Sequence, residues 1–208
     1  MTFDLTGLTE KRNKAGVKYL ENRLNEVVAK ECTKCLEMKL LSSFAKKIPG
    51  FADRKSSCRD CLRLHRMSSR LRRRDKQYGV VSRVTDEDIK KVLGNFDYKC
   101  PLTGSEDFHI DHVIPVSLGI VGGEYGNIIP LKEDLNLVKG NSNIFEWFAD
   151  NRERFGLSQR KFDELIEYLA DINEMTIEEY EEYVRWCHDN PRTIDEIKAE
   201  ETSNDDAS

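Results

Sequence analysis

Apolar residues recur at helical spacing in several stretches of this 208-residue chain. Val17, Leu20, Leu24, Val27 and Val28 predict an amphipathic helix over residues 15–31. Residues 59–76 contain no glycine or proline and are rich in helix formers. There Leu62, His65 or Met67, and Leu71 can seat a narrow apolar stripe. The run from Thr85 to Asp88 is a capping box ahead of Ile89, Val92 and Leu93. Three more helices are predicted over residues 143–155 (Ile144, Phe145, Trp147, Phe148), 158–173 (Phe162, Leu165, Ile166, Leu169) and 176–189 (Ile177, Tyr180, Tyr183, Val184, Trp186). These aromatic stripes suit a core or a docking surface.

One window breaks the helical rhythm. Residues 108–115 alternate or run apolar, as a short strand would, and Ile128, Ile129 and Leu131 read as a second strand. Gly119, Gly122, Gly123 and Gly126 punctuate the loop between them. Glu133 or Asp134 can open a helix, because acids favour the first turn. The chain is therefore expected to be α+β and mostly helical. It is parsed as an N-terminal helix (1–30), a cysteine-bearing module with a basic helix and linker (31–84), a core (85–147), a helical region (148–194) and a disordered acidic tail (195–208). Residues 1–12 read as loose, and residues 79–83 as a linker.

The net charge of −5 conceals an asymmetry. Residues 1–84 hold 21 Lys and Arg against 9 Asp and Glu (+12), and the remainder holds 12 against 29 (−17). A basic grip beside an acidic body is expected, with affinity for phosphates coming from the first part. Arg59, Arg63, Arg66, Arg70, Arg72, Arg73, Arg74 and Lys76 concentrate that charge on the basic helix. Guanidinium groups at this density bind phosphates through charge and bidentate hydrogen bonds. Double-stranded DNA is the expected partner. No signal peptide or transmembrane run is read from the sequence, so a cytoplasmic protein with no membrane partner is expected, in the host cell if the chain is phage-encoded.

Cys32-Thr-Lys-Cys35 and Cys58-Arg-Asp-Cys61 form two C-x2-C knuckles separated by twenty-two residues. Each knuckle points two sulfurs at one spot, and four thiolates match tetrahedral zinc. Two disulfides are the alternative, disfavoured in a reducing compartment. Leu40, Leu41, Phe44, Ile48 and Phe51 are expected to cap the module.

The candidate chemistry lies in the strand-loop-strand window. Asp111 and His112 are adjacent, Asn127 follows the glycine loop, and Asn136 comes nine residues later. Hydrolysing a phosphodiester needs a base for the attacking water and a cation for the leaving oxygen. Neutral imidazole is the natural base near pH 7. Asp and Asn oxygens suit a hard divalent ion such as Mg²⁺ or Mn²⁺.

Over about residues 96–147, this order of residues resembles the HNH endonuclease family with its ββα-metal fold, in an H-N-N variant found in CRISPR effector nucleases and several phage endonucleases. The resemblance implies that His112 is the general base and that Asp111 and Asn136 hold one catalytic divalent ion. It implies that Asn127 braces the loop and holds the backbone near His112, and that the products carry 5′-phosphate and 3′-hydroxyl ends. The four-cysteine module more weakly resembles the N-terminal zinc segments of phage-type members. Many family members also carry two C-x-x-C pairs around the motif. Here Cys100 keeps only the first cysteine of such a pair. No zinc is therefore expected inside the core, and Phe96, Tyr98, Leu102 and Ile110 should hold the hairpin. Lys139 reads either as a phosphate contact or as a solvated helix lysine, and His109 as structural or exposed.

A phage- or mobile-element-encoded, metal-dependent DNA endonuclease is the expected function. A silent DNA-binding protein of the same fold, or an adaptor docking a phage protein through its acidic C-terminal helices, are the alternatives.

Overall fold

The computed structural model describes residues 7–197 and residue 199. The chain is α+β and divides into two compact units between Arg66 and Met67. That division falls inside the basic helix rather than after residue 84.

The first unit is built on a four-stranded antiparallel meander of β1 (Thr9–Arg12), β2 (Lys18–Glu21), β3 (Val27–Glu31) and β4 (Met38–Leu40). The helix expected over residues 15–31 is thus replaced by strands. Two asparagine turns explain the difference. Asn13 Oδ1 accepts from the N–H groups of Ala15 and Val17, and Asn22 Oδ1 accepts from those of Leu24 and Glu26. Such side-chain bonds compete with helical ones. Gly16 and Asn25 then take left-handed conformations (φ 77° and 62°) that close each hairpin. The apolar spacing of this segment fits both periods, and the turns decide between them. Residues 9–12, expected to be loose, form β1.

The apolar interior of the first unit is small. Cys32, Phe44 and Cys58 form its buried cluster, with Leu20 and Ala29 buried on the sheet. Of the expected cap, Ile48 and Leu40 face solvent, while Phe51 packs on Tyr19 with ring centroids 4.9 Å apart. Lys30 is buried as well; its ammonium donates to Lys55 O at 2.7 Å and sits 4.4 Å above the Phe44 ring. A buried ammonium needs such partners.

Helix α1 (Arg59–Gln77) begins in the first unit and ends in the second. Within the second unit its buried positions are Ser68, Leu71 and Asp75, spaced three and four apart along one face. Next come α2 (Asp86–Asn95), started by a reciprocal Thr85–Asp88 capping box, and the antiparallel pair β5 (His109–His112) and β6 (Ile128–Leu131). Helix α3 (Glu133–Lys139) follows β6 directly, and α4 (Ile144–Phe155), α5 (Gln159–Ile172) and α6 (Ile177–Asp189) complete the unit. One core joins Leu102, Val113, Ile129, Leu131 and Leu135 to Trp147, Phe148, Leu165, Leu169 and Val184. The region after residue 147 is therefore part of the same core.

The hairpin is packed differently from expectation: Ile110 on β5 is half-buried and outside the core cluster. Tyr98 is half exposed in a left-handed turn and outside the core, and Cys100 is buried within it. Residues 79–83 are not a loose linker: Ser82 Oγ and the Arg83 and Val84 N–H groups all donate to Gly123 O. Residues 195–197 of the expected tail are helical, with Ile197 buried. The rest of the tail, apart from residue 199, lies outside the described residues.

Candidate active site and cysteine cluster

The strand pairing sets the first geometry. Asp111 lies opposite Ile129 and His112 opposite Ile128, at the end of β5. Successive strand side chains point to opposite faces, so the two residues find different partners. Asp111 Oδ2 accepts from Lys139 Nζ of α3 at 2.8 Å. His112 Nε2 lies 2.9 Å from Asp75 Oδ1 of α1. This contact is short, although its alignment falls short of a good hydrogen bond. Asp75 and His112 are both buried, at 0% and 2% exposure.

Asn127 ties the chain just beyond β5. Its Oδ1 accepts from Ile114 N–H at 2.7 Å, and its Nδ2 donates to Ile114 O at 3.0 Å and Gly122 O at 3.2 Å. Its own carbonyl accepts from Val113 N–H. A side-chain amide with both ends satisfied in the interior fixes the backbone around it. Asn136 is half-buried on α3, one turn before Lys139. Residues three apart on a helix share a face, so Asn136 lies on the side of α3 that sends Lys139 to β5.

Lys139 corrects the expectation of a phosphate contact or a solvated lysine. It is 1% exposed, and its ammonium donates to Asp111 Oδ2 and to His112 O, each at 2.8 Å. Arg72 also leaves the set of phosphate ligands: it is half-buried and donates to Val84 O at 2.8 Å and Ser69 Oγ at 3.2 Å. Arg59, Arg63, Arg66, Arg70, Arg73, Arg74 and Lys76 are exposed on α1, and His109 is exposed on β5.

Asp75 is a residue that the sequence pattern did not single out. Its Oδ2 accepts from Gly123 N–H at 2.8 Å, and the Ser82 hydroxyl, shared with Gly123 O, also lies against the carboxylate. Burial opposes its ionisation, but the close His112 ring and the donors Ser82 and Gly123 prevail and hold its carboxyl below the usual Asp value. The glycine loop has its physical reason here. A Cβ on Gly123 would lie 2.9 Å from Asp75 Oδ2, and one on Gly122 would lie 2.7 Å from Val81 O. The available signal was an acid four residues after Leu71, set among the arginines and lysine of residues 70–76.

In the first unit the four cysteines Cys32, Cys35, Cys58 and Cys61 converge, with all sulfurs within 4.8 Å of one another. Cys32 Sγ and Cys61 Sγ are 3.8 Å apart, close to the roughly 3.8 Å between corners of a tetrahedron with ~2.3 Å Zn–S bonds. Backbone N–H groups of Lys34 and Cys58 point at Cys32 Sγ (3.4 and 3.3 Å), and that of Cys61 points at Cys58 Sγ (3.5 Å). Burial disfavours the Cys32 thiolate, but N–H donors of Cys58, Cys35 and Lys34 outweigh it and draw its pKa down to about 7. All six cysteines are free thiols. The cluster can bind a metal such as zinc.

No described helix is long and apolar enough to cross a membrane. No protein-family model, curated protein or solved structure matches the chain.

Proposed function

We propose that this chain is a divalent-ion-dependent DNA endonuclease of the HNH type, phage- or mobile-element-encoded, with one structural zinc on its four cysteines. One observation carries the reading. A carboxylate and an imidazole end strand β5 beside a helix bearing Asn136, and Asn127 pins the backbone just beyond them.

In this reading His112 accepts the proton of the attacking water. Asn127 keeps the turn after β5 rigid, so the imidazole does not drift. Asp111 and Asn136 supply the hard oxygen donors that would hold Mg²⁺ or Mn²⁺. When bound, that ion supplies charge stabilisation for the leaving oxygen. The donor chemistry fits, with one condition. The ion competes with the Lys139 ammonium for Asp111 Oδ2, or takes the other carboxylate oxygen. The exposed arginines of α1 grip the sugar-phosphate backbone through charge and hydrogen bonds. Because phosphate contacts carry no sequence information, this grip positions the duplex without selecting a site.

The buried Asp111–Lys139 pair and the 2% exposure of His112 favour a second reading, a DNA-binding scaffold without catalysis. Nicking of supercoiled plasmid separates them. The nuclease reading expects open circles with Mg²⁺ or Mn²⁺ and none with chelator. DNA binding without cutting under every divalent ion tried would establish the scaffold.

A further inference from the structure

The polar groups buried in the second unit do not all belong to the hairpin and its helix. Asp75 enters from α1, more than thirty residues upstream of Asp111 in the chain. It is fully buried, and its two oxygens do different work: Oδ1 faces His112 Nε2 at 2.9 Å, while Oδ2 is anchored by Gly123 N–H at 2.8 Å. Ser82 adds to the anchoring. The carboxylate is thus held on one side by the loop and presents its remaining oxygen to the imidazole.

We propose that Asp75 is the positioning residue for His112: it keeps the ring proton on Nε2 and so leaves Nδ1 as the lone-pair nitrogen. This rests on the nuclease reading for its consequence, though not for its geometry. An imidazole has two non-equivalent ring nitrogens. A carboxylate can only accept, so a nitrogen 2.9 Å from Oδ1 is the one that carries the hydrogen, even though the contact is imperfectly aligned. The charged groups around His112 are Asp75 from α1, Asp111 from its own strand and Lys139 from α3, which bonds the His112 carbonyl rather than the ring. Of these three, Asp75 is the one that reaches a ring nitrogen. The same α1 exposes Arg70, Arg73 and Arg74 away from its buried Leu71 and Asp75. One helix therefore carries phosphate ligands on one face and the orienting carboxylate on the other.

The test is the imidazole nitrogen spectrum of the whole 208-residue chain, labelled at histidine and assigned with His112→Gln. Wild type is expected to show His112 with a protonated Nε2 and an unprotonated Nδ1. Asp75→Asn presents an amide that can donate to Nε2, and should move the proton to Nδ1. Its kcat for plasmid nicking should fall by roughly 10²–10⁴-fold with KM little changed. Wild-type His112 protonated on Nδ1 would overturn the proposal, even if Asp75→Asn fails to fold. An unaltered tautomer and kcat in a folded Asp75→Asn would do the same. A wild type that cuts nothing removes the nuclease reading alone, since the nitrogen spectrum still decides the role of Asp75.

Discussion

The two units solve the problem of a stable interior in opposite ways. The first unit buries little beyond Leu20, Ala29, Phe44 and two cysteines, and gathers four sulfurs where an apolar core would otherwise be. The second unit buries a continuous apolar cluster from Cys100 to Cys187. The difference extends to polar residues. Among the described residues, Lys30 is the one buried polar or charged side chain of the first unit, while Ser68, Asp75, Asp111, His112, Asn127, Lys139 and Asn143 lie in the second. Burying such groups costs free energy unless they are paired. A large apolar surround can carry that cost, and candidate chemistry sits where the surround exists.

Metal removal should break this comparison most sharply. Structural zinc in small cysteine modules contributes about 10–16 kcal/mol of apparent binding free energy. Stripping the 208-residue chain with a chelator should erase the dispersed amide resonances of residues 30–61 and leave those of α5 and α6 in place. Equal loss in both units, or in neither, would remove the distinction.

Packing defects should act in the reverse direction. Leu135 is 1% exposed at the centre of the second core. Leu135→Ala is expected to cost about 2–5 kcal/mol in denaturant unfolding of that unit. Metal content per chain should stay unchanged.

Charge removal should affect binding and leave both interiors intact. Replacing Arg70, Arg73 and Arg74 with Gln should weaken DNA affinity and flatten its dependence on salt, by roughly 0.9 in log–log slope for each phosphate that is no longer neutralised. The same change at Arg72 should instead lower stability, because its guanidinium is committed to Val84 O. A slope that stays constant in the triple variant would move the grip elsewhere.

The smallest expected effect is at a helix start. Thr85→Ala removes one half of the α2 capping box, and should lower the stability of the second unit by about 1 kcal/mol.

How much of this was readable from the chain follows the same division. In the second unit, helix periods run long enough to be unambiguous, and the Thr85 capping box marks the start of α2, whereas Ser158, read as a cap, makes no side-chain cap bond. The short strands were readable because glycines and charged residues bound them on both sides. In the first unit, Val17 to Val28 satisfy a helical period by coincidence, and only the bonding of Asn13 and Asn22 settles the matter. The cysteine cluster needed no such arbitration, since C-x2-C spacing fixes sulfur positions locally. The candidate site was half readable. Asp111, His112, Asn127 and Asn136 are close in the chain, and local spacing groups them. Asp75 reaches His112 only through tertiary packing of α1, and the partners of Lys139 depend on how α3 lies against β5. Pairings of that kind leave no periodic trace in a sequence.

The most direct measurement is single-turnover plasmid nicking by wild type and by His112→Ala, at saturating Mg²⁺ or Mn²⁺ and with DNA affinity measured in parallel. The account predicts a fall of roughly 10²–10⁴-fold in the rate with binding retained. Cutting by the variant at the wild-type rate would contradict it.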